Sequence, residues 1–211
     1  MSGRAGAAAG LAAVLLLTAC GPARDRPLFD PDLEPLLIGG PFELVSAEGP
    51  VSLVTFRGRA VWLFFGYGSC PDACPTALAR LARARTLLDE KGWGSLVETL
   101  LVSFDAERDT PATLKEYMSF FGAHGVGATG APEQVDTMMK AYGATFERVP
   151  GTTADSYQFN HSTFIYLLDC TGRVRHLFRH EDAPDRIAEV TGKLIAEGLC
   201  IPGGGERGGP V

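Results

Sequence analysis

Apolar residues in this chain gather into short runs separated by glycine, proline and polar turns, and the densest run is Ala-Val-Trp-Leu-Phe-Phe-Gly-Tyr, from Ala60 to Tyr67. A strand with no polar alternation has no solvent side, so this run predicts a central strand covered on both faces. Before it, Phe42 to Ser46 and Val51 to Phe56 read as two short strands around Glu48-Gly49-Pro50. After it, Leu78, Leu81, Ala84 and Leu88 recur at helical spacing up to about Lys91, and Gly92 supplies a stop. Val97 to Phe104 predicts the next strand. Thr110 then caps a helix that opens on Pro111 and runs to about Phe121. A glycine-rich connection leads to a helix from Pro132 to Tyr142, whose apolar face carries Val135, Met138 and Met139. A loop is expected around Gly151 to Phe159, then His161 and a strand from Ser162 to Leu168. Asp169 to Gly172 is a turn, Arg173 to Arg179 a returning strand, and Asp182 the cap of a last helix reaching about Gly198. The crossover between residues 60 and 104 makes those strands parallel neighbours, while the tight turn at 169–172 makes the last two antiparallel. The pattern is a mixed α/β sheet.

The first forty residues belong to another regime. Arg4 precedes an uncharged, increasingly apolar stretch, Ala5 to Ala19, which ends in Leu17-Thr18-Ala19-Cys20. This resembles a bacterial lipoprotein signal, with residues 1–19 removed and Cys20 acylated; the alternatives are a plain secretory signal or a short membrane anchor that contains a cysteine. The run is shorter than the ~20 residues a spanning helix needs. Pro22, Pro27, Pro31, Pro35 and Pro41 make residues 20–41 a flexible tether, so the domain is expected from 42 to 200, with a flexible tail at 201–211. A chain of 211 residues with 45% hydrophobic composition supports one substantial core. Nineteen lysines and arginines against 25 acidic residues leave a net charge of -6 and no basic stripe, which argues against nucleic acid as a partner.

The candidate chemistry lies at the end of the central strand, in Gly68-Ser69-Cys70-Pro71-Asp72-Ala73-Cys74-Pro75. Two cysteines so spaced at a helix start place both sulfurs in one small volume. Amides at the helix start favour thiolate, and thiolates suit copper(I) or disulfide exchange. A structural disulfide between Cys70 and Cys74 is the plainer alternative. Zinc is weaker: a structural site wants four ligands, and His124, His176 and His180 fall elsewhere. Asp105 and Asp109 follow the neighbouring strand, where they either rim the site or serve as turn and capping residues. Tyr142 and Phe159 read as core. Cys170 and Cys200 are expected to pair: the seven-residue strand runs ~23 Å away from Cys170 and the last helix returns ~25 Å. An unpaired Cys200 in a frayed tail is the alternative.

Four ordered pieces resemble the Sco/SenC family of copper proteins: Phe65-Gly66-Tyr67 leading into the cysteine motif; Ser103-Phe104-Asp105 through Arg108-Asp109-Thr110-Pro111; the Gly130 to Tyr142 segment; and His161-Ser162 before Tyr166-Leu167-Leu168-Asp169. The resemblance implies a thioredoxin-like mixed sheet flanked by helices, with an N-terminal strand extension. It also implies that the strand after His161 runs antiparallel beside the cysteine-bearing strand, so that Cys70, Cys74 and His161 hold copper as Cu(I) and Cu(II). The implied function is a copper metallochaperone for the dinuclear copper centre of cytochrome c oxidase; a thiol-disulfide reductase using Cys70 and Cys74 as a redox pair is the alternative, and a copper-dependent sensor a third class. A peroxidase lacks a motif-linked arginine near its attacking cysteine. Implied partners are the copper-binding oxidase subunit, an unidentified copper donor and the lipid membrane, reached through acylated Cys20 at the outer face of the cytoplasmic membrane. Two departures bear on tuning: Asn160 stands where family members commonly have aspartate, and Gly68-Ser69 replaces a bulkier threonine-histidine pair.

The intact mass of protein extracted from membranes is expected to lack residues 1–19 and to carry a diacylglyceryl or triacyl addition on Cys20. An unmodified chain retaining Met1 overturns the lipoprotein reading.

Overall fold

The run from Ala60 to Gly66 is buried at every position, and the rest of the fold is arranged to cover it. In chain order the elements are β1 (Glu43–Ser46), β2 (Gly49–Ser52), β3 (Ala60–Gly66), α1 (Ala73–Asp89), β4 (Val97–Ser103), α2 (Pro111–Phe120), β5 (Gly125–Thr129), α3 (Pro132–Ala141), β6 (Phe146–Pro150), β7 (Tyr157–His161), β8 (Phe164–Leu168), β9 (Val174–Arg179) and α4 (Pro184–Ala196). The computed structural model describes residues 33–122, 125–151 and 156–200; Cys20 with its signal, most of the tether, His124 and the 201–211 tail lie outside the described residues.

Seven strands form one sheet in the order β2-β1-β5-β4-β3-β8-β9, and β6 pairs with β7 in a separate hairpin. β3 and β4 are parallel, with Ala60 opposite Val97 and Gly66 opposite Ser103. β3 and β8 are antiparallel, with Phe64 opposite Ile165 and Val61 opposite Leu168. α1 turns Leu78, Leu81, Ala84 and Leu88 inward, each fully buried, and packs beside α4. The indole N–H of Trp62 donates to the Thr191 hydroxyl of α4 at 2.9 Å, so the one polar atom of this core ring is satisfied. Among the described residues no helix is long and apolar enough to cross a membrane.

Several local expectations change. Val51 to Phe56 is only partly strand: Leu53–Phe56 is a short 3-10 turn, and the Thr55 hydroxyl accepts the Ser52 N–H at 3.0 Å, drawing the backbone out of the ladder. The glycine-rich connection contains β5, an internal strand between β1 and β4. Its pattern is silent because close approach excludes large side chains; a Cβ on Gly127 would lie 2.8 Å from the Leu114 Cβ of α2. The loop expected around Gly151 to Phe159 is shorter at its far end, since Tyr157 to Phe159 already belong to β7, which pairs with β6 in a hairpin, and His161 ends β7 rather than preceding a strand at Ser162. Asp182 does not cap α4, which starts after Ala183; its carboxylate accepts the Arg179 N–H at 3.0 Å instead.

The end of the supposed tether is packed. Leu33 is buried, the Leu36 N–H bonds the Val174 carbonyl, and the Gly39 N–H bonds that of Ala141, both at 2.8 Å. Gly39 has φ +104°, a conformation that favours glycine. Cys170 and Cys200 are joined in a disulfide whose Cα atoms lie 5.2 Å apart. It ties the turn before β9 to the chain leaving α4.

Closing a loop with a sequence separation of 30 should stabilise the domain. A C170S/C200S double variant is expected to lose about 3 kcal/mol in urea unfolding, and non-reducing peptide maps should show the two cysteines linked.

Candidate metal centre

The site begins where β3 runs out. Gly66 is its last residue, and a Cβ there would lie 2.6 Å from the Cys74 sulfur; a glycine amid bulky neighbours makes room for that sulfur in the core. Tyr67 follows, and the Cys70 N–H closes a turn onto its carbonyl at 3.2 Å. Between them, the Gly68 N–H donates to Asp109 Oδ2 at 2.8 Å, and the Ser103 hydroxyl donates to the same oxygen at 2.5 Å. Asp109 is 7% exposed, and burial pushes its carboxyl up despite these donors. It therefore acts as a strut beneath the cysteine loop.

α1 opens at Ala73, and the Cys70 sulfur accepts the Cys74 N–H at 3.4 Å, in the place a capping side chain would take. Both cysteines are free thiols; Cys70 is half-buried and Cys74 fully buried. The Cys74 thiol bonds Cys70 and holds it well below the usual thiol range, against burial and with help from His161 and nearby amides. That bond and burial push Cys74 strongly up. The metal-free pair thus shares one proton: a reachable thiolate above a buried thiol.

His161 arrives from the hairpin. Along β7, Tyr157, Phe159 and His161 are half-buried while Gln158 and Asn160 are exposed, the alternation of a strand laid on a surface. Phe159 packs edge-on against Tyr67 and Phe104, both centroids 5.1 Å away, and Phe146 stacks on Phe104 at 4.8 Å. At the hairpin base the Ser162 N–H bonds the Thr145 carbonyl at 2.9 Å. The His161 ring lies against Tyr67 and Phe104, its Nδ1 bonded to the Ser162 carbonyl at 2.8 Å. With Nδ1–H given to that carbonyl, Nε2 is left for the sulfurs: protonated, it donates to the Cys70 thiolate, and deprotonated, it offers its lone pair to a metal.

The donor atoms of Cys70, Cys74 and His161 all lie within 4.8 Å of one another, the one such metal-capable group among the described residues. Cys70 and His161 border a cleft of about 300 Å³ lined also by Tyr67, Pro71, Asp72, Asn160 and Thr163, while Cys74 lies buried behind it. His176 and His180 stay outside this group: His176 packs on Phe178, and His180 faces Glu181 at 3.0 Å. Asp105 is 2% exposed and bonded by Arg108 and by the Tyr157 phenol, so it braces the hairpin rather than rimming the site. Tyr142 is core, edge-on to Phe65 and Tyr166. Gly66, Ser103 and Tyr157 were not singled out as site residues by sequence; the one local signal is a glycine inside the bulky β3 run.

A mixed sheet whose central strand delivers a cysteine pair to a helix start defines a thioredoxin-like domain, here with an imidazole brought to the sulfurs as a third donor. The fold likeness extends to the thioredoxin domain of a Bacteroides vulgatus thiol-disulfide oxidoreductase, with TM-score 0.53, 16% identity and coverage of 77% of this chain and 99% of that one. The chain belongs to the SCO1/SenC family, whose model matches residues 31–196. It is 37% identical over 170 residues to protein SenC of Rhodobacter capsulatus, covering 79% of this chain and 74% of that protein. Among solved structures it is similar to Bradyrhizobium japonicum ScoI with copper bound (TM-score 0.67, 34% identity, 74% of this chain and 98% of that one). Arabidopsis thaliana ScoI with copper bound gives TM-score 0.70 at 29% identity, over 76% of this chain and 99% of that one.

In the reduced, metal-free protein, iodoacetamide is expected to alkylate Cys70 and spare Cys74, with Cys70 still reactive well below the pH at which an ordinary thiol stops reacting. Because His161 favours the Cys70 thiolate, H161A should move the midpoint of that pH profile upward.

Proposed function

We propose that this protein is a copper chaperone that carries one copper ion on Cys70, Cys74 and His161 and delivers it to the copper-binding subunit of cytochrome c oxidase during assembly. The observation that carries this reading is the donor set itself, two sulfurs and one imidazole within 4.8 Å. Two soft thiolates suit Cu(I), and the imidazole extends the site to Cu(II). Relatives with copper bound, similar over three quarters of the chain, support it. The half-buried Cys70 and His161 are the donors that a recipient's ligands reach first, with the buried Cys74 released last. An acylated Cys20 would hold the domain at the outer face of the cytoplasmic membrane, on the tether that precedes Leu33.

A second reading follows from the asymmetry of the thiols. A Cys70 thiolate can attack a recipient disulfide, forming a mixed disulfide and expelling one recipient thiolate. Cys74, once deprotonated, then displaces the second, leaving a Cys70–Cys74 disulfide and a recipient reduced by two electrons. Such reduction would prepare the recipient's cysteines for copper.

Anaerobic competition with a calibrated Cu(I) chelator should show C70S and C74S weakened beyond the ~10–100-fold that loss of an outer contact costs. H161A should keep Cu(I) on two thiolates while its Cu(II) spectrum changes. Loaded protein is expected to transfer copper to a reduced recipient domain. Metal-free protein that reduces an oxidised recipient, without any copper transfer from loaded protein, would establish the second reading in place of the first. Folded C70S and C74S variants with native affinity would remove the site assignment.

A further inference from the structure

The hairpin that carries His161 lies outside the seven-stranded sheet, so the position of its imidazole depends on what fastens β6 and β7 to the domain. At the His161 end, the fastening is the base of the hairpin and the aromatic contact with Tyr67 and Phe104. Register places Tyr157 at the other end, opposite Pro150, while His161 faces Phe146. There the attachment is of a different kind.

The Tyr157 ring lies between two guanidinium groups, with Arg108 Cζ 3.7 Å from its centroid and Arg148 Cζ 3.6 Å from it. Its phenol donates to the buried Asp105 Oδ1 at 2.8 Å, and Arg108 Nη1 donates to its carbonyl at 3.1 Å. Carboxylates neutralise both cations: Asp105 bonds Arg108, and Glu107 accepts from Arg148 at 2.8 Å. The loop that supplies Asp105, Glu107 and Arg108 also supplies Asp109, which holds Gly68 just before Cys70. One loop therefore grips both the cysteine turn and the histidine arm.

We propose that Tyr157, sandwiched between Arg108 and Arg148, is a positioning residue that fixes the β7 arm so that His161 reaches the two sulfurs. The inference rests on reading His161 as a copper donor. A ring between two cations resists tilting in both directions, and cation–π pairs of this kind are worth more when partly desolvated, as on the Arg108 side. The hydrogen bonds and ring contacts of the clamp do not include either cysteine, so its loss acts on the imidazole and reaches Cys70 only through it.

The test uses the full chain with Y157A, Y157F and R148A, the last removing an exposed side chain so that folding is not at issue. In metal-free protein, amide hydrogen exchange across Tyr157–His161 is expected to speed up in Y157A, to return to the native rate in Y157F, which keeps the ring, and to fall between in R148A. With Cu(II), Y157A should weaken binding roughly tenfold (about 1.4 kcal/mol) and change the nitrogen coupling in the electron paramagnetic resonance spectrum, leaving Cu(I) affinity nearly native. Native exchange and native Cu(II) binding in both Y157A and R148A would overturn the proposal. So would a Y157F as damaged as Y157A with Cu(I) weakened equally, since that is general destabilisation. H161A is the control: if it leaves the Cu(II) spectrum native, the donor reading of His161 fails, and the exchange data still decide whether the clamp exists.

Discussion

The antiparallel pairing of β8 with β3 is the constraint from which the metal centre follows. With Phe64 opposite Ile165, the start of β8 lies beside the end of β3, and whatever precedes β8 is delivered to whatever follows β3. His161 precedes the one and Cys70 follows the other. The pairing is stable because β3 has no exposed face: β4 fills its other edge in parallel register, and helices and loops close both sides. A one-residue slip between β3 and β8 would turn Ile165 and Leu167 to the opposite face and break the packing of a strand pair that has no polar positions to lose.

Around that frame, buried carboxylates perform local tasks through hydrogen bonds that replace lost water. Asp109 is the clearest case, a carboxylate disfavoured by burial and retained because it gathers the Gly68 amide and the Ser103 hydroxyl at the ends of two adjacent strands. Asp169 does the same at the far end of the sheet, accepting from the Thr171 and Arg173 amides and pairing with Arg175, whose guanidinium also bonds the Leu33 carbonyl. Each buried acid replaces lost water with several donors.

Legibility in the sequence follows burial by bulky residues. β3 is read at once because its residues are large, apolar and all inside, and α1 because Leu78, Leu81, Ala84 and Leu88 recur at the helical period and are all covered. β5 is as internal as β4 yet unreadable, because the space beside Leu114 admits only Gly127. The hairpin is hidden for the opposite reason. β7 does alternate, from Tyr157 to His161, but over only five residues, and β6 is mostly exposed; what covers β7, Tyr67, Phe104 and Arg108, is distant in sequence. The cysteine pair was visible as a motif at a strand-to-helix junction. The arrival of His161 depends on strand pairing, which periodicity does not encode, and only the resemblance to the copper family brought the histidine to the cysteines.

The packed segment before β1 gives the molecule a mechanical polarity. Leu36 bonds Val174, beside the end of β8 at Leu168, whereas His161 sits before the start of β8 at Phe164. The chain therefore reaches the domain about one strand length, ~17 Å, from the sulfurs. The Cys170–Cys200 bridge lies at the same remote end. A pull exerted through the residues upstream of Leu33 loads the cross-linked end of the sheet first, at the pole away from the cleft. The domain can be held by one pole while the other stays open to a partner.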